Sequence, residues 1–251
     1  MQKGGAYIRT MANYDLISFP DDCALSQAAA SAWLDGIAAQ QIKGEPYRVA
    51  LSGGRIAKTF FSAVTAAMAG TGQGLFRGVH FFWGDERCVP PDDAESNFRS
   101  ARELFLTPLK IEAENIHRLR GEVPVEVAAA EGEAELCRLT PLNAAGQPVL
   151  DLILLGMGED GHIASLFPGE SEAVRSSSQV YRAVVASKPP SRRITLGYPA
   201  IAAARQVWVL ASGAGKEAAL RESLLPEGRT PLARVLRSRK HTKIYTDLCL
   251  H

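Results

Sequence analysis

The feature that most constrains the fold is a regular alternation of short apolar runs with longer helical patterns. Apolar or β-branched runs occupy 47–51, 79–83, 149–155, 181–186, 193–197, 207–211 and 242–246. Helical patterns occupy 23–42, 56–68, 96–106, 125–139, 214–224 and 231–237. Strands separated by helices of this length are typical of parallel sheets. The sequence therefore predicts an α/β fold with a mostly parallel sheet covered by helices on both faces.

The length of the chain and the absence of a linker bound the domain organisation. A chain of 251 residues can bury a large core, and no Pro-, Gly- or Ser-rich stretch divides it. We therefore expect one domain over 1–251, with residues 1–14 as a loose N-terminal extension. The N-terminus lacks the apolar region of a secretory signal, and no apolar stretch approaches the ~20 residues that span a bilayer. The sequence predicts a cytoplasmic protein without a membrane partner.

Charge and cysteine usage exclude further classes. The chain has 28 Lys and Arg against 27 Asp and Glu, a net charge of +1. Broad binding of nucleic acid requires a basic surface, so we expect no nucleic-acid partner. The four cysteines are scattered without a CxxC pair, which is typical of reduced thiols and excludes the usual zinc-finger spacing. We expect no metal.

Four polar or glycine-rich segments each follow a predicted strand. They are SGG at 52–54, GDER at 84–87, GMGEDGH at 156–162 and SGAGK at 212–216. The carboxyl ends of parallel strands meet at one edge of the sheet, where ligands bind in open α/β folds. The sequence therefore predicts a ligand site built from these four segments.

Three familiar motifs do not explain this site. The GxGxxG at 156–161 matches a dinucleotide-binding turn, but Pro168 and Gly169 limit the following helix to one or two turns. The GAGK at 213–216 is not a P-loop, because Leu210 occupies the position of its first glycine. The chain has no GxSxG, so a serine-nucleophile hydrolase is unsupported.

Among the histidines, His162 is the best candidate for a catalytic group. It lies in a polar, glycine-rich turn two residues after Asp160, which suits a general base whose ring is oriented by a carboxylate. The alternative is a histidine that only caps and packs at a helix start. His80 lies in a strand-like run and is expected to belong to the core.

Two segments are candidates for binding an anion. Ser52, Gly53 and Gly54 resemble a cradle of backbone N–H groups for phosphate, although a tight strand-to-helix turn would also select glycine. Lys188 and Arg193 lie around two prolines, so a rigid loop would present cations before a strand. A solvated loop would have a similar composition.

Two further cations have two interpretations each. The guanidinium of Arg87 suits phosphate or a developing oxyanion, or forms an ordinary ion pair with Asp85 or Glu86. Lys216 either faces an anion at a helix N-terminus or is solvated.

At these residues the chain resembles the 6-phosphogluconolactonase family. The resemblance rests on ALSGG at 50–54, on the block at 81–106, on LILLGMGEDGHIASLFPG at 152–169 and on KPPSRRITL at 188–196. It spans about residues 15–247. Glucosamine-6-phosphate deaminases share the DGH triplet but continue with an FNEP-like segment where this chain has SLFP, which favours the lactonase.

The resemblance implies a sheet of the ribose-5-phosphate isomerase and sugar-phosphate deaminase type. The implied activity is hydrolysis of 6-phospho-glucono-1,5-lactone in the oxidative pentose phosphate pathway, without any cofactor. The family's general base corresponds to His162, its DER arginine to Arg87, and its loop cations to Lys188 and Arg193. We expect Asp160 to orient the base, and the only partner to be a small sugar-phosphate lactone, bound by a monomer or small homo-oligomer.

The chain departs from the family pattern in its first loop. The family usually has SGGSTP, whereas this chain has SGGRIAK, so Arg55 either adds a phosphate contact or points to solvent. Two other functions remain open: a glucosamine-6-phosphate deaminase or isomerase, and a non-catalytic sugar-phosphate sensor. The sequence also leaves open whether Arg87 binds phosphate or the oxyanion.

Overall fold

The computed structural model describes residues 7–70 and 73–250, which form a seven-stranded and a three-stranded sheet. The larger sheet contains β1 (Tyr7–Thr10), β2 (Tyr14–Ser18), β3 (Tyr47–Leu51), β4 (Val79–Trp83), β6 (Leu152–Gly156), β9 (Gln206–Ala211) and β10 (Thr242–Thr246). Its strand order is β1-β2-β10-β9-β6-β3-β4, and only β1 is antiparallel to its neighbour. The smaller, antiparallel sheet has the order β5-β8-β7, from β5 (Asp85–Arg87), β7 (Tyr181–Val185) and β8 (Arg192–Leu196).

Helices flank the two sheets. They are α1 (Asp22–Ile42), α2 (Arg55–Ala67), α3 (Asn97–Ala101), α4 (Val125–Leu139), α5 (Glu172–Arg175), α6 (Tyr198–Ala203), α7 (Glu217–Leu224) and α8 (Pro231–Ser238). A π-helical turn, Arg102–Leu106, continues α3. None of the helices in the described part of the chain is long and apolar enough to cross a membrane. The predicted fold class, a mostly parallel sheet between helices, is confirmed.

Helix α1 shows how the sequence pattern becomes a core. The carboxylate of Asp21 accepts the N–H of Ala24 at 2.7 Å and caps the helix N-terminus. Four-residue spacing then places Leu25, Ala29, Trp33 and Ile37 on one face, and all four are fully buried. The indole of Trp33 contacts a cluster of phenylalanine rings from other elements: Phe60, Phe76, Phe81 and Phe105.

Several predicted elements have the observed bounds, and others need correction. The predicted strands at 47–51, 79–83 and 242–246 and the helix at 125–139 agree with the structure. The strands predicted at 181–186 and 193–197 do not join the parallel sheet. They form β7 and β8 of the antiparallel sheet, because a short connection reverses the chain between them.

The larger sheet is completed from the N-terminal side. Strand β2 pairs with β10, and β1 pairs with β2 at the edge of the sheet. Residues 7–10, within the predicted loose extension, are therefore paired, while residues 1–6 lie outside the described residues. Both strands escaped prediction because they are short and carry polar residues, so they lack the apolar run that marks a buried strand.

The strand order explains where the four polar segments gather. Strands β9, β6, β3 and β4 are neighbours in this order, and all four run parallel. The segments at their carboxyl ends consequently lie along one edge of the sheet, as the sequence predicts.

Candidate active site

An open cavity lies at the carboxyl edge of the parallel sheet. Its lining includes most of the predicted site residues: Ser52, Gly53, Gly54, Arg87, His162 and Arg193. Four further lining residues are Arg55, Asp85, Asn97 and Lys216. The structure thus brings together segments that are separated by more than a hundred residues in the sequence.

The predicted pair of Asp160 and His162 is formed. The carboxylate Oδ1 of Asp160 lies 2.6 Å from Nδ1 of His162 and also accepts the backbone N–H of His162 at 3.1 Å. Burial alone would raise the pKa of the Asp160 carboxyl, but these hydrogen bonds and the imidazole charge outweigh it and lower that pKa. An ionised carboxylate on Nδ1 favours the tautomer whose Nε2 is free to accept a proton.

The close approach of the backbone to the imidazole requires glycine at position 158. A Cβ at Gly158 would lie 2.1 Å from two ring atoms of His162. Glycine at this position therefore has a steric role in placing the ring, independent of any nucleotide-binding motif.

The chain after His162 differs from the expected short helix. Ile163 forms isolated β-bridges with Met157 and with Leu166, and the next helix is α5. No helix therefore follows the GxGxxG turn directly, which removes the helix N-terminus that a dinucleotide fingerprint requires.

The turn at 52–54 leads directly into α2. Gly54 has a φ of +88° and is the N-cap residue of this helix, whose N-terminus has no side-chain cap. The hydroxyl of Ser52 accepts the N–H of Gly156 at 3.4 Å and links the turn to the end of β6. An uncapped helix N-terminus at the cavity wall is a favourable place for a phosphate.

Arg87 and Arg193 come together through the small antiparallel sheet. They are directly paired residues of β5 and β8, an arrangement that is unfavourable for like charges. Burial and the charge of Arg87 lower the pKa of Arg193. Nε of Arg87 is buried and, within the described residues, has no hydrogen-bond partner. Two adjacent guanidinium groups and a free N–H donor are what an anionic ligand requires.

The alternative interpretation of Arg87, an ion pair with Asp85 or Glu86, is wrong for the described residues. Arg87 donates to the carbonyl of Glu95 at 2.5 Å and lies 3.5 Å from its carboxylate. Glu86 is buried and accepts the backbone N–H groups of Asn97 and Phe98, both at 2.7 Å. Burial raises the pKa of Glu86, against the effect of these hydrogen bonds. This carboxylate therefore caps α3 rather than neutralising Arg87.

Sequence reasoning missed Asp85 and Asn97 as site residues. The Nδ2 of Asn97 donates to the carbonyl of Asp85 at 3.0 Å, and the hydroxyl of Ser165 donates to the Asp85 carboxylate at 2.7 Å. Asn97 lies so close to the backbone of Gly53 that a Cβ there would overlap its amide. The available signal was the position of Asp85 at the end of β4, within the same motif as Arg87.

The remaining candidate cations, Arg55, Lys216 and Lys188, lie in different environments. Arg55 lines the cavity, but its guanidinium lies 2.7 Å from the Asp22 carboxylate and donates to the carbonyl of Ser212 at 3.0 Å. Lys216 is half-buried in the cavity wall, and burial together with Arg55 lowers its pKa. Lys188 is exposed on the loop between β7 and β8, outside the lining of the cavity.

His80 does not belong to this site. It is half-buried on β4, where its Nδ1 lies 3.0 Å from Nε2 of His117. Nδ1 of His117 in turn lies 3.0 Å from a carboxylate oxygen of Glu135. The expectation that His80 is a packed histidine rather than a catalyst agrees with this position.

Together these features define a class of protein: an α/β enzyme with a histidine–carboxylate pair in a cation-lined cavity. The family described as glucosamine-6-phosphate isomerases/6-phosphogluconolactonase matches residues 20–245. The chain belongs to this family, which confirms the resemblance inferred from its motifs.

Individual relatives agree with the family assignment. A 6-phosphogluconolactonase of Mycobacterium tuberculosis is 38% identical over 205 residues, 79% of this chain and 81% of that protein. The chloroplastic 6-phosphogluconolactonase 3 of Arabidopsis thaliana is 38% identical over 61% of this chain and 49% of that longer protein. The structure of 6-phosphogluconolactonase from Trypanosoma brucei has a TM-score of 0.81 and 30% identity, and the match covers 92% of this chain and 95% of that one.

Proposed function

We propose that this protein is a 6-phosphogluconolactonase, which hydrolyses 6-phospho-D-glucono-1,5-lactone to 6-phospho-D-gluconate in the oxidative pentose phosphate pathway. The observation that carries the proposal is the 2.6 Å contact between Asp160 and His162 at a cavity lined by four cations, Arg55, Arg87, Arg193 and Lys216. A lactone is an activated ester, so a base and an anion site suffice for its opening. We place the enzyme in the cytoplasm as a monomer or small homo-oligomer.

In the proposed mechanism His162 is the general base. Nε2 takes a proton from a water molecule, whose oxygen attacks C1 of the lactone. Asp160 holds Nδ1 and stabilises the imidazolium that forms. When the tetrahedral intermediate collapses, the bond between C1 and the ring oxygen breaks, and Nε2 returns the proton to that oxygen. Such base catalysis contributes about 10²–10⁴-fold.

Arg87 is the proposed partner of the oxyanion on C1. The buried Nε–H of Arg87 is a donor without a protein partner among the described residues, and the side chain lines the same cavity as His162. A preorganised cation at this position stabilises the negative charge that develops in the transition state.

The phosphate is proposed to bind beside the turn between β3 and α2. Gly53 and Gly54 lead into the uncapped N-terminus of α2, and the cavity wall there includes Lys216. Arg193 supplies the second cation, as the sequence predicts. Of the cations predicted to bind the phosphate, Lys188 has the least structural support, since it is exposed and does not line the cavity.

The first experiment measures the opening of freshly generated lactone by wild type and His162→Ala, against the uncatalysed rate. We expect acceleration by wild type and its loss in a folded variant. Acceleration by both would exclude His162 as the base. No acceleration by wild type, together with ammonia release from glucosamine 6-phosphate, would replace the lactonase by a deaminase.

A second experiment separates the roles of the cations. Glucono-1,5-lactone without phosphate is compared with the 6-phosphorylated substrate. Lys216→Met and Arg193→Met should raise KM for the phosphorylated lactone only, whereas Arg87→Met should lower kcat for both. A selective effect of Arg87→Met on KM for the phosphorylated lactone would instead assign Arg87 to the phosphate.

A further inference from the structure

A second open cavity lies beside the candidate active site. It is bounded by the segment 167–169, by α5, by the loop before α8 and by α8 itself. Its wall includes four arginines from three of these elements: Arg175, Arg229, Arg234 and Arg237. It has no lining residue in common with the active-site cavity.

The positive charge of this cavity is only partly neutralised. Glu172 is shared, since it accepts from Nε of Arg175 at 3.0 Å and from Nη2 of Arg234 at 3.2 Å. Arg237 donates to the carbonyl of Gly228 at 2.6 Å, an uncharged acceptor. Glu227 lies in the wall, and Glu222 accepts the backbone N–H of Arg229 at 3.0 Å, so four guanidinium groups are accompanied by three carboxylates. Within the described residues, the exposed side chain of Arg229 has no hydrogen bond or ion pair.

Three of the four arginines, Arg175, Arg234 and Arg237, are held by defined contacts. The guanidinium of Arg234 lies over the ring of Tyr198, 5.1 Å from its centroid, and also donates to the carbonyl of Arg175 at 3.3 Å. The hydroxyl of Thr230 accepts the N–H of Ala233 at 3.0 Å, which fixes the start of α8. A site whose donors are already oriented loses less entropy when it binds a ligand.

The cavity with the four arginines is adjacent to His162 but separate from the active-site cavity. The ring of Phe167 lines the arginine cavity and lies 5.0 Å from the ring of His162. On the same side, the N–H of Leu232 donates to the carbonyl of Gly161 at 3.3 Å. An occupant would therefore touch the elements that support the catalytic turn without entering the substrate cavity.

We propose that this arginine-lined cavity is a second anion site, for a ligand that carries two linked phosphate groups. Guanidinium groups bind phosphate oxygens in pairs, and these four lie on three elements, so a ligand with two phosphate groups can engage more of them than a single phosphate. This inference does not rest on the lactonase activity.

The test is calorimetric titration of the full chain with inorganic pyrophosphate. We expect Arg229→Gln to raise Kd about tenfold, the effect of losing one charge-assisted hydrogen bond. Arg229 has no fold contact to lose, and Arg234→Gln provides a second variant. Arg9→Gln on β1 is the matched control, because it removes the same charge from an exposed side chain on the edge strand of the larger sheet.

A further variant distinguishes binding in the arginine cavity from binding in the active site. Lys216→Met alters the candidate phosphate site but should leave pyrophosphate binding in the arginine cavity within about twofold of wild type, as expected for independent sites. Loss of all binding in Lys216→Met with full binding in Arg229→Gln would place pyrophosphate in the active site and overturn the proposal. Equal weakening by Arg9→Gln and Arg229→Gln, or no binding by wild type, would overturn it as well.

Discussion

Replacing Asp160 by asparagine removes the negative charge beside the imidazole while leaving the shape of the turn. The lost contact is a 2.6 Å hydrogen bond that Nδ1–H of His162 donates to a carboxylate whose pKa is lowered, so the carboxylate is ionised when the base works. A hydrogen bond to a charged group contributes about 1.5–3 kcal/mol. Since about 1.4 kcal/mol corresponds to tenfold in rate, kcat should fall about 10- to 100-fold. We expect a fall in kcat nearer tenfold than 100-fold, because Asp160 is 52% exposed and solvent screens its charge.

The amide of Asp160→Asn can also change the tautomer of His162. If its NH₂ group donates to Nδ1 of His162, the imidazole must carry its proton on Nε2, and it can no longer accept one from water. The loss in kcat would then exceed the effect of the missing charge alone, while KM for the lactone would change little. The two measurements together distinguish the wrong tautomer from a weakened substrate site.

The assay follows acid release from freshly prepared 6-phosphogluconolactone, with the spontaneous rate subtracted. Glu159→Gln is the control, because it removes an exposed carboxylate from the same turn; its kcat should stay within about twofold of wild type. Thermal unfolding of both variants checks that the turn remains folded. A kcat for Asp160→Asn equal to that of Glu159→Gln would refute the assignment of Asp160 as the residue that orients the base.

Two further predictions concern the turn and the histidine pair. Gly158→Ala should displace the imidazole of His162 and lower kcat about 100-fold with an unchanged melting temperature, since its Cβ would lie 2.1 Å from the ring; full activity would contradict the steric role of this glycine. Burial lowers the pKa values of His80 and His117 from 6.5, so the unfolded chain binds more protons below that pH. The denaturant concentration at the midpoint of unfolding should therefore fall as the pH is lowered from about 7 to about 5. His117→Gln should reduce this fall. An equal fall in wild type and variant would assign the pH dependence to other groups.

The position of the site could be predicted because it depends on features that are local in the sequence. Four polar segments each follow an apolar run, and parallel pairing alone places such segments at one edge. The pair of Asp160 and His162 is local too, since a tight turn brings residues two apart within hydrogen-bond distance. For these residues, type and spacing carried enough information.

The choice among the loop cations could not be predicted in the same way. Lys188 and Arg193 belong to one motif five residues apart, and both were assigned to the phosphate. Strand β8 begins only at Arg192, and its alternation buries Arg193 while Arg192 stays exposed. Its pairing with β5 then sets Arg193 opposite Arg87, more than a hundred residues earlier. Without knowledge of this non-local pairing, the sequence cannot say which cation enters the cavity.

Arg55 shows a third kind of limit, because its function depends on partners from distant segments. The sequence offered a phosphate contact or solvent, and in the structure the guanidinium lines the cavity while it links the start of α2 to Asp22 and Ser212. The hydroxyl of Ser212 donates to Asp247 at 2.7 Å, so this link continues through the loop that carries Lys216. An arginine can therefore replace the family's hydroxyl residue here without itself binding phosphate: it joins the two loops whose backbone and lysine line the same end of the cavity.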